Sequence, residues 1–360
     1  MKSSLINNWS QIQQAFRLSN DIEDIHPFGN GHINDTFLVP GDKNNGVLQR
    51  LNTFVFQSPS ALQANFDQIA AHISALSQEA YPYHGLSCFH TIEGKTLCQV
   101  EDNYWRLMAE IPDTRALSSI ENAEQAYSAA KAVGSFDKAL KDLPVQNFKE
   151  TILGFFDCQL RLSQLRSAIK NDSAGRLKSC QSQLALVEKY AFLADWQQSI
   201  LANNQIPLRI THNDTKVTNI LFQQKNDQAC AVIDWDTIMP GLWLYDFGDM
   251  ARSFSPTKNE DGFGEQASDI RFDILQATTQ GYLEACADDM GAEEKASLLK
   301  GAQLIIYMLG VRFLTDYLNG DVYFKTLEEH HNLTRSQTQF ELVEALEVNG
   351  KNWQQKLQLV

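Results

Sequence analysis

Ile210-Thr211-His212-Asn213-Asp214-Thr215-Lys216-Val217-Thr218-Asn219-Ile220-Leu221-Phe222, followed after a polar turn by Ala231-Val232-Ile233-Asp234-Trp235-Asp236, is a short β-rich island in a half of the chain that otherwise reads as helix. The runs Ile220 to Phe222 and Ala229 to Ile233, separated by residues 223–228, predict a hairpin that returns Asp234 beside Asn219. Around this island, apolar residues recurring at helical spacing predict helices over Ile120 to Leu140, Phe148 to Ile169, Leu177 to Ala202, Ile270 to Asp288, Glu293 to Leu318 and Thr334 to Gln358. Residues 1–111 have another texture. After a helix over Leu5 to Leu18, strand-like runs fall at Ile22 to Phe28, Thr36 to Val39 and Val47 to Leu51, the last two joined by the turn GDKNNG. A helix over Ser60 to Ser77, started by Ser58-Pro59, precedes two strands near Cys88 to Ile92 and Leu97 to Glu101, turning at Glu93-Gly94-Lys95. The apolar run Tyr104 to Ile111 leads out. The expected architecture is α+β in two lobes, residues 1–111 and 112–360, with the island's chemistry in the cleft between them.

Acidic residues outnumber basic ones 44 to 30, a net charge of −14, which argues against a polynucleotide partner because phosphate backbones demand clustered Lys and Arg. The most apolar stretch, Ala302 to Leu318, is interrupted by Gly310, Arg312 and Asp316, so no membrane partner is expected. The N-terminal residues carry no apolar export segment, and the expected compartment is the cytoplasm. Six scattered cysteines without a CxxC pair fit reduced thiols, and His84, Cys88 and His90 lack the closed ligand set of a structural zinc site.

The intervals of His212, Asp214, Lys216 and Asn219 resemble the protein-kinase catalytic loop H-R-D-x-K-x-x-N. Phosphoryl transfer needs a carboxylate to orient the attacking hydroxyl, a cation at the transferring group, and hard oxygen ligands for Mg²⁺. Asp214 and Lys216 fit the first two needs, and Asn219 and Asp234 the third. The literal Asp-Phe-Gly at 246–248 is set aside, because the hairpin already delivers Asp234; Asp246 is expected to hydrogen-bond the loop backbone instead. Asp236 is either an outer acid of the site or a solvated turn residue. In the first lobe, Gly29 and Gly31 mark a turn whose backbone N–H groups can cover phosphates. Strand alternation puts Leu48 and Arg50 on one face, so Leu48 could touch the base and Arg50 the phosphates, with Asp67 or Glu79 as its acidic partner. A solvent-facing strand arginine is the competing reading.

THNDTKVTNILF (211–222), VIDWDTIMPGLWLYDFGD (232–249), FGNGHINDTF (28–37), LQRLNTFVFQSP (48–59) and the segment 309–324 together resemble the aminoglycoside-phosphotransferase and choline-kinase superfamily, and within it the N-acetylhexosamine 1-kinases. The resemblance covers nearly the whole chain. It implies a bilobal protein-kinase-like fold and transfer of the γ-phosphoryl group of ATP, with Mg²⁺, to the anomeric hydroxyl of N-acetylglucosamine or N-acetylgalactosamine. It further implies Asp214 as base, Asn219 and Asp234 as metal ligands, the backbone of Met108, Ala109, Glu110 and Ile111 as adenine contact, and Arg312 and Tyr323 as sugar contacts. An Arg312–Asp316 ion pair is the alternative for Arg312. Trp353 would stack on a sugar face or dock a terminal helix. Choline, homoserine, methylthioribose or an aminoglycoside stand as other acceptors, and a non-catalytic nucleotide-binding scaffold as another class. Epimer preference and oligomeric state stay open.

Overall fold

Leu5, Trp9, Ile12 and Phe16 recur on one side of the first helix, α1 (Lys2–Phe16), and all four are buried against a sheet. The structure, a computed structural model, describes residues 2–29, 33–41, 45–258 and 267–359. The sheet contains β1 (His26–Pro27), β2 (Asp35–Val39), β3 (Gly46–Arg50) and, after helix α2 (Pro59–Ala75), β4 (Cys98–Val100) and β5 (Asn103–Ala109). Its antiparallel order is β1-β2-β3-β5-β4. The register joins Phe37, Leu48 and Leu107 on one face, with Asp35, Arg50 and Trp105 on the same side, and α1 covers it. Thr36, Gln49 and Arg106 align on the opposite face, where Arg106 lies over the Phe66 ring of α2. Both faces are therefore covered.

One expected strand is absent. Residues 88–92 make only a bridge between Cys88 and Met108, and Phe89 N–H donates to Leu107 O. The turn at 93–95 exists, with Thr91 N–H donating to Lys95 O, but the ladder forms later, turning at Glu101 and Asp102. The apolar run expected to lead out is instead an interior strand, β5, between β3 and β4, whose residues from Trp105 to Met108 are all buried.

The sheet ends at Ala109, and the next strand, β6 (Thr114–Ala116), already pairs with the C-terminal half. There follow α3 (Ala123–Leu140), α4 (Cys158–Asn171), α5 (Gln181–Tyr190), α6 (Phe192–Ala202), β7 (Arg209–Thr211), β8 (Ile220–Gln223), β9 (Ala229–Val232), β10 (Met239–Gly241), α7 (Trp243–Phe254), α8 (Phe272–Cys286), α9 (Ala292–Ala296), α10 (Leu298–Asn319) and α11 (His331–Lys356). The expected hairpin is β8–β9. The helix expected from Phe148 starts ten residues later, where Asp157 caps the Leu160 N–H and Gly154 adopts φ +61°. The periodicity over Leu177 to Ala202 resolves into a 3₁₀ turn and two helices.

Helix α10 is long and apolar enough to cross a bilayer, yet 72% of its apolar window is buried inside the protein. It crosses α7 closely: a Cβ at Gly301 would lie 2.8 Å from the Leu244 Cβ, and one at Gly248 2.9 Å from Ile305. This contact anchors α7, and α7 in turn holds the loop between β7 and β8. The result is an α+β fold with a β-sheet first lobe and a helical second lobe.

Candidate active site

The loop between β7 and β8 is fixed from below by one carboxylate. Asp246, in the first turn of α7, accepts the backbone N–H groups of His212 at 2.8 Å and Asn213 at 2.6 Å, and Thr215 Oγ1 donates to the Asp246 carbonyl. Asn213 takes φ +66°, and its side-chain amide donates to the carbonyls of Thr211 and Thr237. A Cβ at Gly241 would fall 2.2 Å from Thr211 Oγ1, so β10 can approach β7 only with glycine there. His212 is fully buried; Nδ1 accepts from Asp214 N–H, so the proton sits on Nε2, which faces Ile233 O at 2.8 Å. Asp246 thus has the supporting role expected of it.

The loop presents Asp214, Lys216 and Asn219 together. Lys216 Nζ lies 2.7 Å from Asp214 Oδ2, and Asn219 Nδ2 donates to the same oxygen at 2.8 Å. Burial alone would raise the Asp214 carboxyl, but the Lys216 ammonium outweighs it and holds the pKa below its ordinary value, so the group is ionised at neutral pH. Burial pulls Lys216 the other way, and the charges of Asp214 and Asp234 hold it up, so it remains a cation. Because the Asn219 amide nitrogen faces Asp214, its Oδ1 is left to face a cation.

Ile233 N–H donates to Asn219 O at 2.8 Å, which sets the end of β9 beside the loop. Asp234 follows at φ +63°, and burial, then the charge of Asp236, pushes its carboxyl up to about 6. A half-buried carboxylate with a raised pKa, at the end of the strand that bonds the Asn219 backbone, supplies with the Asn219 amide oxygen a hard-oxygen set that fits Mg²⁺.

Asp236 is not a solvated turn residue. It is 1% exposed and pairs across the lobes with Arg106, whose Nη2 lies 2.7 Å from Oδ1. Its other oxygen accepts from Asn34 Nδ2 at 2.7 Å. Arg106 also donates to Gln49 Oε1, and Gln49 Nε2 donates to Thr36 Oγ1.

Arg50 departs from expectation. It lies on the α1 face with Leu48, opposite Arg106, and its partners are Asp35 and Asn103 rather than Asp67 or Glu79. Asp67 accepts from Gln63 and Thr96 instead, and Glu79 is exposed. Leu48 is fully buried against α1, so neither residue of that pair faces the cleft. The cation on the inner face of the sheet is Arg106, which an apolar run had concealed. Gly29 has φ +73°, with open space where a Cβ would point, so its backbone conformation is what calls for glycine. Gly31 lies outside the described residues.

At the junction after β5, Ala109 N–H donates to Ser87 O and Glu110 N–H to Asn45 O. Among the described residues this leaves the Ile111 N–H of the Met108 to Ile111 segment without a protein acceptor. Farther along the second lobe, Arg312 sits among the rings of Phe155, Tyr323 and Phe324, 5.2 to 5.8 Å from their centroids. Asp316 is not its partner: its carboxylate accepts the N–H groups of Val322, Tyr323 and Phe324 and the Asn332 amide. Arg161, bonded to Phe155 O, has its pKa lowered to about 10 by burial and by the charge of Arg312. Phe155 packs at a tilt on Phe156 and Phe156 on Tyr245, the residue before Asp246, so a chain of rings connects the Arg312 cluster to the start of α7. Trp353 is buried against Phe272 and docks the last helix.

Known structures of the same fold include a microcompartment-associated aminopropanol kinase (16% identity, TM-score 0.60, covering 98% of this chain and 100% of that one). A choline kinase from Cryptosporidium parvum matches at 11% identity and TM-score 0.59 over 99% and 97%. Spectinomycin phosphotransferase, solved with ADP and spectinomycin, matches at 12% and 0.54 over 93% of each chain. The profile of the phosphotransferase enzyme family (APH) matches residues 24–278. The matched residues take in the loop from His212 to Asn219, Asp234 and Asp246, and the chain belongs to this phosphotransferase family.

Proposed function

We propose that this phosphotransferase moves the γ-phosphoryl group of ATP to the anomeric hydroxyl of an N-acetylhexosamine, giving the sugar 1-phosphate and ADP. Asp214 orients the acceptor hydroxyl and takes its proton as the new P–O bond forms; ionised, and with Oδ2 engaged by Lys216 and Asn219, it has Oδ1 for that task. Lys216 places its charge at the transferring phosphoryl. Asn219 and Asp234 would hold Mg²⁺, which when bound neutralises the phosphate oxygens. Adenine would take the Ile111 N–H, with the turn at Gly29 over the phosphates.

The choice of acceptor rests on one observation. Arg312 is surrounded by three aromatic rings and has no carboxylate partner among the described residues, with a second guanidinium, Arg161, close enough to be repelled by it. Such a pocket disfavours choline, an aminoglycoside or an amino alcohol, whose positive charge would meet two like charges. It favours a neutral acceptor whose acetamido oxygen takes a guanidinium N–H while its apolar face lies on a ring. The test is ADP release over a panel of N-acetylhexosamines, choline, homoserine, methylthioribose and aminoglycosides, with NMR locating the phosphate on C1 or C6. Turnover confined to a cationic acceptor would sink the sugar reading, and phosphate on C6 would move the reaction off the anomeric hydroxyl.

A further inference from the structure

The junction between the lobes converges on one side chain. Arg106 is 1% exposed, lies over the Phe66 ring with Cζ 5.1 Å from its centroid and is bonded to Gln49, and a guanidinium so buried requires a counter-charge. That counter-charge is Asp236, which comes from the other lobe. The second Asp236 oxygen accepts from Asn34, and Asn34 Oδ1 in turn accepts Asn52 N–H at 3.0 Å, so the segment that follows the glycine turn is tied at its end.

The turn carrying Asp236 cannot shift alone. Trp235 is buried against Phe66 and Phe136, with ring centroids 5.3 and 5.5 Å apart, and its Nε1–H donates to Val232 O. Thr237 Oγ1 donates to His212 O at 2.8 Å. A displacement of Asp236 therefore moves Asp234 on one side and the loop backbone on the other.

We propose that Asp236, clamped by Arg106 and Asn34, is a clasp that couples the start of β2 to the position of the Asp234 carboxylate, making Asn34, Arg106 and Asp236 positioning residues for the Mg²⁺–nucleotide complex. The clasp rests on the nucleotide-site reading above. Asn34 touches neither Asp234 nor Asn219, so any effect of it on metal dependence has to travel through Asp236.

Calorimetric titration with ADP, at zero and saturating Mg²⁺ and without acceptor, tests the coupling. Asn34→Ala, which leaves the Arg106–Asp236 pair intact but removes the bonds to Asp236 and Asn52, is expected to fold with a modestly lowered Tm and to bind ADP about tenfold more weakly with Mg²⁺, and little changed without it. Amide exchange over residues 33–39 should quicken while that of α10 does not. Asp236→Asn leaves a buried guanidinium unpaired and can fail to fold, so Arg106→Gln/Asp236→Asn, which removes both charges, accompanies it. The double variant should fold and show the same selective loss of Mg²⁺–ADP affinity. A wild type that binds ADP and an Asn34→Ala protein that matches it at both Mg²⁺ levels, or loses affinity equally at both, would overturn the clasp alone. A wild type that binds no ADP overturns the nucleotide reading and the clasp with it.

Discussion

Asp246 lies beneath the loop rather than facing into it, its two carboxylate oxygens bonded to the N–H groups of His212 and Asn213 at 2.8 and 2.6 Å. The Asp-Phe-Gly that opens with it is therefore a structural bracket, although its letters match a metal motif. Asp246→Asn leaves one oxygen for two buried donors, and an orphaned N–H costs about 1–3 kcal/mol. The expected variant has a lowered Tm, with the Mg²⁺ dependence of nucleotide binding nearly kept in the folded fraction. Wild-type stability combined with lost Mg²⁺ dependence would return the metal carboxylate to Asp246.

Beneath that bracket is a second acid. Asp137 is fully buried, accepts Tyr282 O–H at 2.6 Å, and is pushed far above its ordinary value of 3.8 by burial and then by the charge of Asp246. Its folded pKa is raised, so the folded protein holds a proton that the unfolded chain has released. The associated stability is complete below about pH 4 and is lost as the pH rises through the folded pKa. Asp137→Asn supplies a permanent amide donor in place of that proton, without titrating. Melting curves between pH 5 and 9 should show the variant gaining on the wild type as the pH rises, and parallel curves would mean that Asp137 is not the proton carrier.

Asp214→Asn keeps the size of the side chain but removes the acceptor for the hydroxyl proton. Turnover should fall roughly 10²–10⁴-fold while ATP binding is nearly unchanged. Undiminished turnover would show that another group is the base.

The arrangement of the loop was legible because it is local. The intervals from His212 to Asn219 and a two-strand return to Asp234 are read along the chain, and so is the helix start that carries Asp246. The sheet was harder. Period-two alternation says that Leu48 and Arg50 share a face, but not which face meets the cleft, and here α1 covers one side and α2 the other. Arg106 was hidden in the run Tyr104 to Met108, and the only sign of its importance was a charge among buried residues whose partner, Asp236, is remote in sequence. Residues 88–92 alternate like a strand, yet β4 takes that edge of β5 over Asn103 to Trp105 and leaves only the bridge of Cys88 with Met108.

The reassignment of Arg50 has a direct check. Its side chain is one-third exposed, and its pair with Asp35 belongs to the class of near-surface ion pairs that contribute about 0–1 kcal/mol. Arg50→Gln is expected to leave ADP affinity as it was and to lower Tm slightly. A tenfold or greater loss of affinity would put the guanidinium on the phosphates and turn β3 over.

Arg312 carries the acceptor reading, so its removal should separate acceptor binding from nucleotide binding. Losing a hydrogen bond from a charged group to a carbonyl corresponds to roughly a ten- to hundredfold rise in acceptor KM. Arg312→Ala is expected to show that rise with N-acetylglucosamine, with KM for ATP unchanged and the protein folded, since the cage rings of Phe155 and Phe324 remain. Arg312→Lys should recover only part of it, because an ammonium lacks the planar fork that lies among three rings. Relief of the repulsion on Arg161 should also raise that residue's pKa from about 10. If neither Arg312 variant alters acceptor KM, the pocket beside Phe155 is not where the sugar binds.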